Sequence, residues 1–526
     1  MSDVSTNGDG PPPDPGDPAA TSDSAKPGGP WLSRRRLLTG VGGLGAVGLF
    51  GAAVSVRGQA VAGQVADAHV PPATGTLPIP PLLNPVQERG RKVFRLRMQT
   101  GQTMLKEGYT TASRGFNGSY LGPTMKVNNG DRVRMEVTNN IGVETTVHWH
   151  GLHVPPSADG GPQNLIAPNA GWAPEFTIKQ DSATCWYHPH PMGETTAQVV
   201  SGLAGMLLVT DAGPASSALP HTYGVDQFPL ILQSVPMTAE GVLPMNMSDL
   251  GRLDLSDTRI IVNGKGVETV PTLRVNTGRI RLHLLNASNG DVLVVSRSDG
   301  RPLTQIATDA ALLPQPATVP EIRLTSGARA EILLDLTDDV TLQTRTFDAT
   351  NAPDDHPTPV LTVSTTAPGR PRPLPRELNR IRPLPREGAV ERTFTLTGLR
   401  TGPGAAGTVW MINGTAVTDM KTMMDHAIMT TLDATEVWTI VNDSPALHSF
   451  HLHDVPFQVL DRDGTPPTGT ERGSWRDTLE IPMHSAVRII MKFTDYADDR
   501  YGYMFHCHHL LHEDQGMMAM IMVMNH

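Results

Sequence analysis

One short stretch restricts this chain more than any other: Tyr503–Met518, YMFHCHHLLHEDQGMM, sets His506, Cys507, His508, His512 and Met517 within twelve residues. Imidazoles, one thiolate and a more distant thioether are the donor set of a trigonal copper with a weak axial methionine, whereas zinc favours four strong ligands. If Met504–His508 is a strand, side chains alternate across it, so Cys507 faces one side and His506 and His508 the other. A single strand then feeds two metal sites, with one cysteine and its backbone between them.

Three other stretches hold matching histidines. His148-Trp149-His150 and His188-Pro189-His190 each place two imidazoles on one face of an extended segment. In Leu447–His453, LHSFHLH, His451 and His453 share a face, and His448 falls on the opposite one.

Together the motifs HWHG, HPH, HSFHLH and HCHHLLHEDQGM resemble the four copper-binding motifs of the multicopper oxidases, over most of residues 90–526. The resemblance implies four copper ions, with electrons taken singly at a type 1 copper and passed to a trinuclear cluster where dioxygen becomes water. Position by position it gives His448, Cys507, His512 and axial Met517 to type 1 copper, and His148 and His451 to type 2. It gives His150, His188 and His506 to one type 3 ion, and His190, His453 and His508 to the other. Asp159 and Glu513 match acids near the type 2 and type 3 ions, which makes them expected proton donors or relays; Asp159 in Asp159-Gly160-Gly161 also reads as a plain turn aspartate. An axial methionine implies a moderate type 1 reduction potential. Ser449 stands where the family commonly has proline, and Asp454 where it has glycine. Ser444 and Ala446 replace the acidic substrate-copper positions of the copper-efflux oxidases, and the role of Asp477 in SWRDTLEIP is left open. Other histidines, such as His153, His283, His484 and His509, read as surface or ordinary hydrogen-bonded residues.

At 526 residues and 39% hydrophobic content, the chain is long enough for about three domains. A formal net charge of -10 argues against nucleic acid as a partner. Residues 1–30, rich in Pro, Gly, Asp and Ser, read as a disordered leader. Ser33–Leu38 and the apolar run Gly40–Val56 then resemble a twin-arginine export signal cleaved after Ala62 or Ala68, rather than a membrane anchor. Export of a folded protein by that machinery implies a periplasmic or extracellular location. Of the two cysteines, Cys507 is taken as a ligand, which leaves Cys185 a free, buried thiol.

Short segments punctuated by Gly, Pro and Asn, with no long stretch at helical period, predict an all-β fold. Pro123–Gly130 running into RVRMEVTN is echoed by Pro271–Gly278 running into IRLHLLN, and more faintly by Ile412-Asn413-Gly414 with Glu436–Asn442. The family resemblance makes these three Greek-key β-sandwiches of cupredoxin type, expected at about 85–212, 225–345 and 390–526, with a proline-rich linker at 366–388 that has little to bury. The copper motifs fall in the first and third, so the cluster is expected at their interface and the second acts as a spacer. Met420, Met423, Met424 and Met429, with Asp425 and His426, read either as soft donors for copper(I) or as core filling. The expected electron donor is a small phenol or aromatic amine, with copper(I), iron(II) or manganese(II) as the alternative. A copper-free scaffold is the non-enzymatic alternative.

Overall fold

The computed structural model describes residues 75–525 apart from 355, 370 and 403–406. The leader and the twin-arginine-like segment lie outside the described residues. Among those described, no α-helix exceeds six residues, and the chain is organised as six sheets.

The sheets fall into three successive pairs, each around its own apolar core. One core spans Phe94 to Val209, the next is built mainly from Phe228 to Val363, and the last spans Phe394 to Val523. Each pair repeats one wiring. A first strand lies parallel to the strand of the sequence repeat, pairing Lys92 with Val133, Gln227 with Arg281 and Val390 with Glu436. In the facing sheet the last strand of each third runs parallel to an earlier one, pairing Leu207 with Met125, Thr362 with Thr272 and Ile521 with Ile428. Parallel neighbours need crossovers, which here carry the chain between the two layers.

The repeat has a shared physical cause. Asn286 and Asn442 end their repeat strands, Asn139 is the last residue but one of its own, and all three are fully buried. Each donates side-chain N–H bonds to nearby carbonyls: Asn139 to Val143 and Ile166, Asn286 to Asp291 and Leu324, and Asn442 to Ala446, Ile481 and Pro482. Each accepts from the amide two residues on. One asparagine thus satisfies a corner whose buried backbone would otherwise be unpaired. The faint third copy begins elsewhere than its sequence suggests. Asn413-Gly414 matches the Asn263-Gly264 turn, with both asparagines left-handed at φ 51° and 49° and exchanging bonds with Thr395 and Ile231. The third strand equivalent to Thr124–Asn128 is Ile428–Thr431.

Alternation holds in the first copy, where Val133, Met135 and Val137 are buried between more exposed charges. In the second, Ile280, Leu282 and Leu284 face the core as expected, but Arg281 and His283 are buried too. Arg281 pairs with Glu331, and His283 meets Thr184 of the first sandwich at 2.7 Å. Paired polar groups therefore occupy that contact. The proline-rich linker also departs from expectation: Leu378 is buried against Ile306, Leu312 and Leu333.

Candidate metal centre

The strand Tyr503–Cys507 divides its side chains as the sequence predicts. Tyr503, Phe505 and Cys507 enter the third core, where Phe505 lies 4.9 Å from Trp438 and 4.8 Å from Phe394, centroid to centroid. His506 faces the other way. Across the antiparallel pair with His448–Leu452, Phe450 is opposite Cys507 and His451 opposite His506. Both strands therefore present one residue set to each of two sites.

On the Cys507 side, Sγ lies 3.3 Å from His448 Nδ1 and 3.7 Å from His512 Nδ1, and the two nitrogens are 3.2 Å apart. All three residues are buried. Met517 is fully buried beside them; its carbonyl accepts from the Cys507 amide and its amide donates to the His512 carbonyl. Asn442 Oδ1 takes the Ser444 hydroxyl proton, so Ser444 accepts from His448 Nε2–H at 2.8 Å and Nδ1 is left as the lone-pair nitrogen. Burial pushes the Cys507 thiol up to about 12 and lowers His448 to about 3. A thiolate in this apolar setting needs a cation, and two neutral imidazoles with a thiolate suit copper.

On the other side eight buried histidines converge: His148, His150, His188, His190, His451, His453, His506 and His508. The Nε2 atoms of His190 and His453 each lie 3.2 Å from His506 Nε2. His148 and His451 meet with ring centroids 5.8 Å apart, and His508 lies 5.0 Å from His150 and 5.3 Å from His188. The inferred sharing of His506 and His508 is therefore exchanged: His506 joins His190 and His453, and His508 lies beside His150 and His188. Spacing along one strand does not contain this, because the neighbouring histidines come from distant segments.

Six nitrogens in this chamber are buried without a hydrogen-bond partner: Nε2 of His148, His188, His451 and His508, and Nδ1 of His150 and His190, the last of them 3.2 Å from Glu513 Oε1. Their other nitrogens are held. His148 and His451 bond by Nδ1 to the Asp159 and Asp477 carbonyls at 2.9 and 2.8 Å, and His188 to the Pro189 carbonyl at 2.8 Å. Buried polar atoms rarely go unpaired, and imidazole lone pairs aimed at one space are what metal ions bind. Burial, reinforced by the neighbouring histidines, holds His150, His188, His451, His453 and His508 well below the ordinary imidazole range, and His190 at about 4. The neutral ligand form is thus the resting form, and the residues fit a multinuclear copper cluster.

Both anticipated acids reach this chamber. Asp159 Oδ2 accepts from His453 Nδ1 at 2.7 Å, and its Oδ1 lies 3.3 Å from His148 Nδ1. The turn reading also holds locally, since Gly160 has φ +85° and a Cβ there would strike the Val147 carbonyl. Glu513 lies 3.2 Å from His190 Nδ1 and 3.0 Å from His506 Nδ1. Burial works against its charge, but those imidazoles hold it at about 2.

Other residues escaped the sequence reading. His153 is buried between Asp454 Oδ1 at 2.7 Å and Asp495 Oδ2 at 3.1 Å. Burial opposes its charge, yet the two carboxylates raise its pKa. Asp454 occupies the usual glycine position with φ 70°, which aspartate tolerates better than most residues. His509 stacks on His512 at 3.8 Å and 4°. His283 and the exposed His484 keep their ordinary roles. Cys185 is buried and free as expected, its thiol pushed up to about 12 by burial. Met423 packs with Met504, Met518, Met520 and Met522, while Met424 and Met429 are exposed.

The middle sandwich supplies none of these metal-facing groups, but it is more than a spacer. Ser326 Oγ lies 3.3 Å from His508 Nδ1, and a Cβ on Gly327 would lie 2.9 Å from the His508 ring.

Family models described as multicopper oxidase match residues 97–213 and 396–526. The chain is 31% identical to the multicopper oxidase mco of Staphylococcus aureus over 445 residues, covering 84% of this chain and 91% of that one. It is 32% identical to the cell division protein FtsP of Escherichia coli over 503 residues, covering 94% and 99%. Among solved structures it resembles a laccase-like multicopper oxidase CueO from Ochrobactrum sp., with a TM-score of 0.73, 32% identity and 85% and 100% coverage. With its two buried donor clusters, its cupredoxin-like sandwiches and relatives matched over most of their length, the chain belongs to the multicopper oxidase family.

Proposed function

We propose that this protein is an exported oxidase that takes single electrons from a small phenolic or aromatic-amine donor and uses four of them, with four protons, to reduce dioxygen to two waters. The carrying observation is the pair of complete donor sets joined through one strand: His448, Cys507 and His512 on one face, with eight histidines behind His506 on the other. Met517 completes the first set. Copper bound there supplies one-electron redox chemistry that no side chain of this composition offers alone. The protein's part is to hold neutral imidazoles in fixed tautomers, to exclude water from both sites and to place Cys507 between them. Asp159, bonded to His453 Nδ1, and Glu513, beside the Nδ1 atoms of His190 and His506, deliver protons to its two sides. A cleft of about 330 Å³ is lined by Gly151, His153, Asp454 and Asp477, which neighbour the chamber's histidines in the chain or in space.

Organic donors are favoured by the Ochrobactrum relative, described as having oxidase activity towards lignin model compounds. Ser444 supports the same choice, being buried on His448 where a substrate-copper acid would stand. The twin-arginine-like segment supports folded export to the periplasm or beyond. Steady-state oxidation of 2,6-dimethoxyphenol and of copper(I), with dioxygen uptake followed together, tests the substrate. A higher kcat/KM for the phenol is expected, and a strong preference for copper(I) would make the protein a metal oxidase. Asp159→Asn and Glu513→Gln should each slow reoxidation by dioxygen by about 10- to 100-fold without lowering copper content. Wild-type reoxidation rates in both would refute the proton roles.

A second reading follows from the relatives named for cell division, which match over 94% of this chain. In it the fold is an interaction scaffold that works without copper, and copper content separates the two.

A further inference from the structure

Arg329 is fully buried, at the start of the strand Arg329–Asp335 in the middle sandwich, and every nitrogen of its fork is used. Nη1 and Nη2 donate to the two carboxylate oxygens of Asp477 at 2.5 and 2.6 Å, and Nε donates to the Thr184 carbonyl at 2.7 Å. One buried side chain therefore ties the first, second and third sandwiches together beside the histidine chamber. Its charge is matched locally: Asp309 receives the Arg329 amide at 2.7 Å and faces Arg476 at 3.6 Å.

The bonds beyond Asp477 have a direction. A carboxylate only accepts, so the single hydroxyl proton of Thr478 goes to Asp477 Oδ1 at 2.8 Å. The Thr478 oxygen is then an acceptor, and it lies 3.1 Å from His150 Nε2 and 3.3 Å from His451 Nδ1. His150 must donate through Nε2, which leaves Nδ1 as its lone-pair nitrogen. His451 must donate through Nδ1, to Thr478 and to the Asp477 carbonyl at 2.8 Å, which leaves Nε2. Both are among the nitrogens buried in the chamber without partners. His150 is the one member of the chamber's unpartnered set, apart from Glu513-facing His190, whose free nitrogen is Nδ1. His150 thus presents the opposite nitrogen from His148, His188, His451 and His508. The same ion pair presses on the backbone after His150: Gly151 has φ +85°, and a Cβ there would lie 2.5 Å from Arg329 Nη2 and 2.9 Å from Asp477 Oδ2.

We propose that Arg329 is a positioning residue of the histidine cluster. Through Asp477 and Thr478 it fixes which nitrogen His150 and His451 present to the ions. This rests on the copper reading above, and it gives the ligand-free middle sandwich a direct part in assembling the site.

The test uses the full-length, copper-loaded protein and the variants Thr478→Val, Thr478→Ser, Asp477→Asn and Arg329→Lys. Copper per chain, the electron paramagnetic resonance spectrum and copper retention against a chelator are measured. The visible absorption of Cys507-bound copper serves as the control for folding. Thr478→Val removes the accepting oxygen while leaving the buried ion pair intact. Asp477→Asn places an amide that can donate to Thr478 and reverse the chain. Both should lose cluster copper, with about 10- to 100-fold weaker retention and an altered paramagnetic spectrum, while the visible band is kept. Thr478→Ser should behave as wild type. If Asp477→Asn or Arg329→Lys fails to fold, the Thr478 pair decides alone. Wild-type copper content and spectra in Thr478→Val, or equal damage in Thr478→Ser, would overturn the proposal while leaving the copper reading intact. A wild-type protein that binds no copper would overturn both.

Discussion

Cys507→Ser is expected to abolish the visible absorption of the oxidised protein and to reduce oxidation of any electron donor to background. Changing an outer partner of a metal ligand costs about 10- to 100-fold, so loss of the thiolate itself should cost at least the upper end of that range. The physical reason lies in one strand. Cys507 Sγ is within 3.7 Å of both His448 and His512 Nδ1, and its neighbours His506 and His508 are the groups that face the second chamber. A serine hydroxyl is a poor partner for copper beside two imidazoles, and no other cysteine is near enough to substitute, Cys185 being held against the Gly151 carbonyl. Copper measured in the variant should fall by one ion per chain, with the cluster's share retained. Retained oxidase activity would show that electrons enter by another path.

The second large effect concerns acid. Burial holds His150, His188, His190, His448, His451, His453, His508 and His512 below their ordinary pKa, with neighbouring imidazoles adding to it for most of them. In the unfolded chain each would titrate near 6.5. Above that value neither state is protonated, so these groups leave stability independent of pH. Below it the unfolded chain binds more protons than the folded one, and stability falls as pH falls. Each histidine contributes about 1.4 kcal/mol per pH unit at full slope, so eight contribute on the order of 10 kcal/mol per pH unit. That rivals the whole stability of a domain, about 5–15 kcal/mol. The metal-free protein should therefore show a flat urea midpoint between pH 7.5 and 8.5 and a steep fall between pH 6.5 and 5. Copper occupying the lone pairs should hold the plateau to lower pH. A metal-free midpoint unchanged down to pH 5 would contradict a buried, neutral cluster.

The grouping of the histidines was legible in the sequence because strands write it plainly. A period of two groups His148 with His150 and His451 with His453, and it separates Cys507 from its flanking histidines. The repeat strands were legible for the same reason, through alternating Val133, Met135 and Val137. What spacing could not carry was contact between distant segments. The placement of His506 with His190 and His453, and of His508 beside His150 and His188, depends on segments far apart in the chain. The roles of Ser326, Gly327 and Arg329 depend on a loop and the start of the strand after it, far in the chain from every copper motif, reaching their back side. His153 gave no signal alone, because its partners Asp454 and Asp495 lie 301 and 342 residues away. Asp454 was visible only as a departure from glycine; its left-handed backbone and its bond to His153 account for it together.

The central claim is that two donor sets joined by Cys507 hold a full complement of copper. Its most direct test is the copper content per chain of the protein folded in the presence of copper, measured together with its visible absorption. Four ions per chain, one of them responsible for an intense visible band that disappears on reduction, is the predicted result. A folded protein that retains no copper and shows no such band would contradict the account and leave the fold as a scaffold.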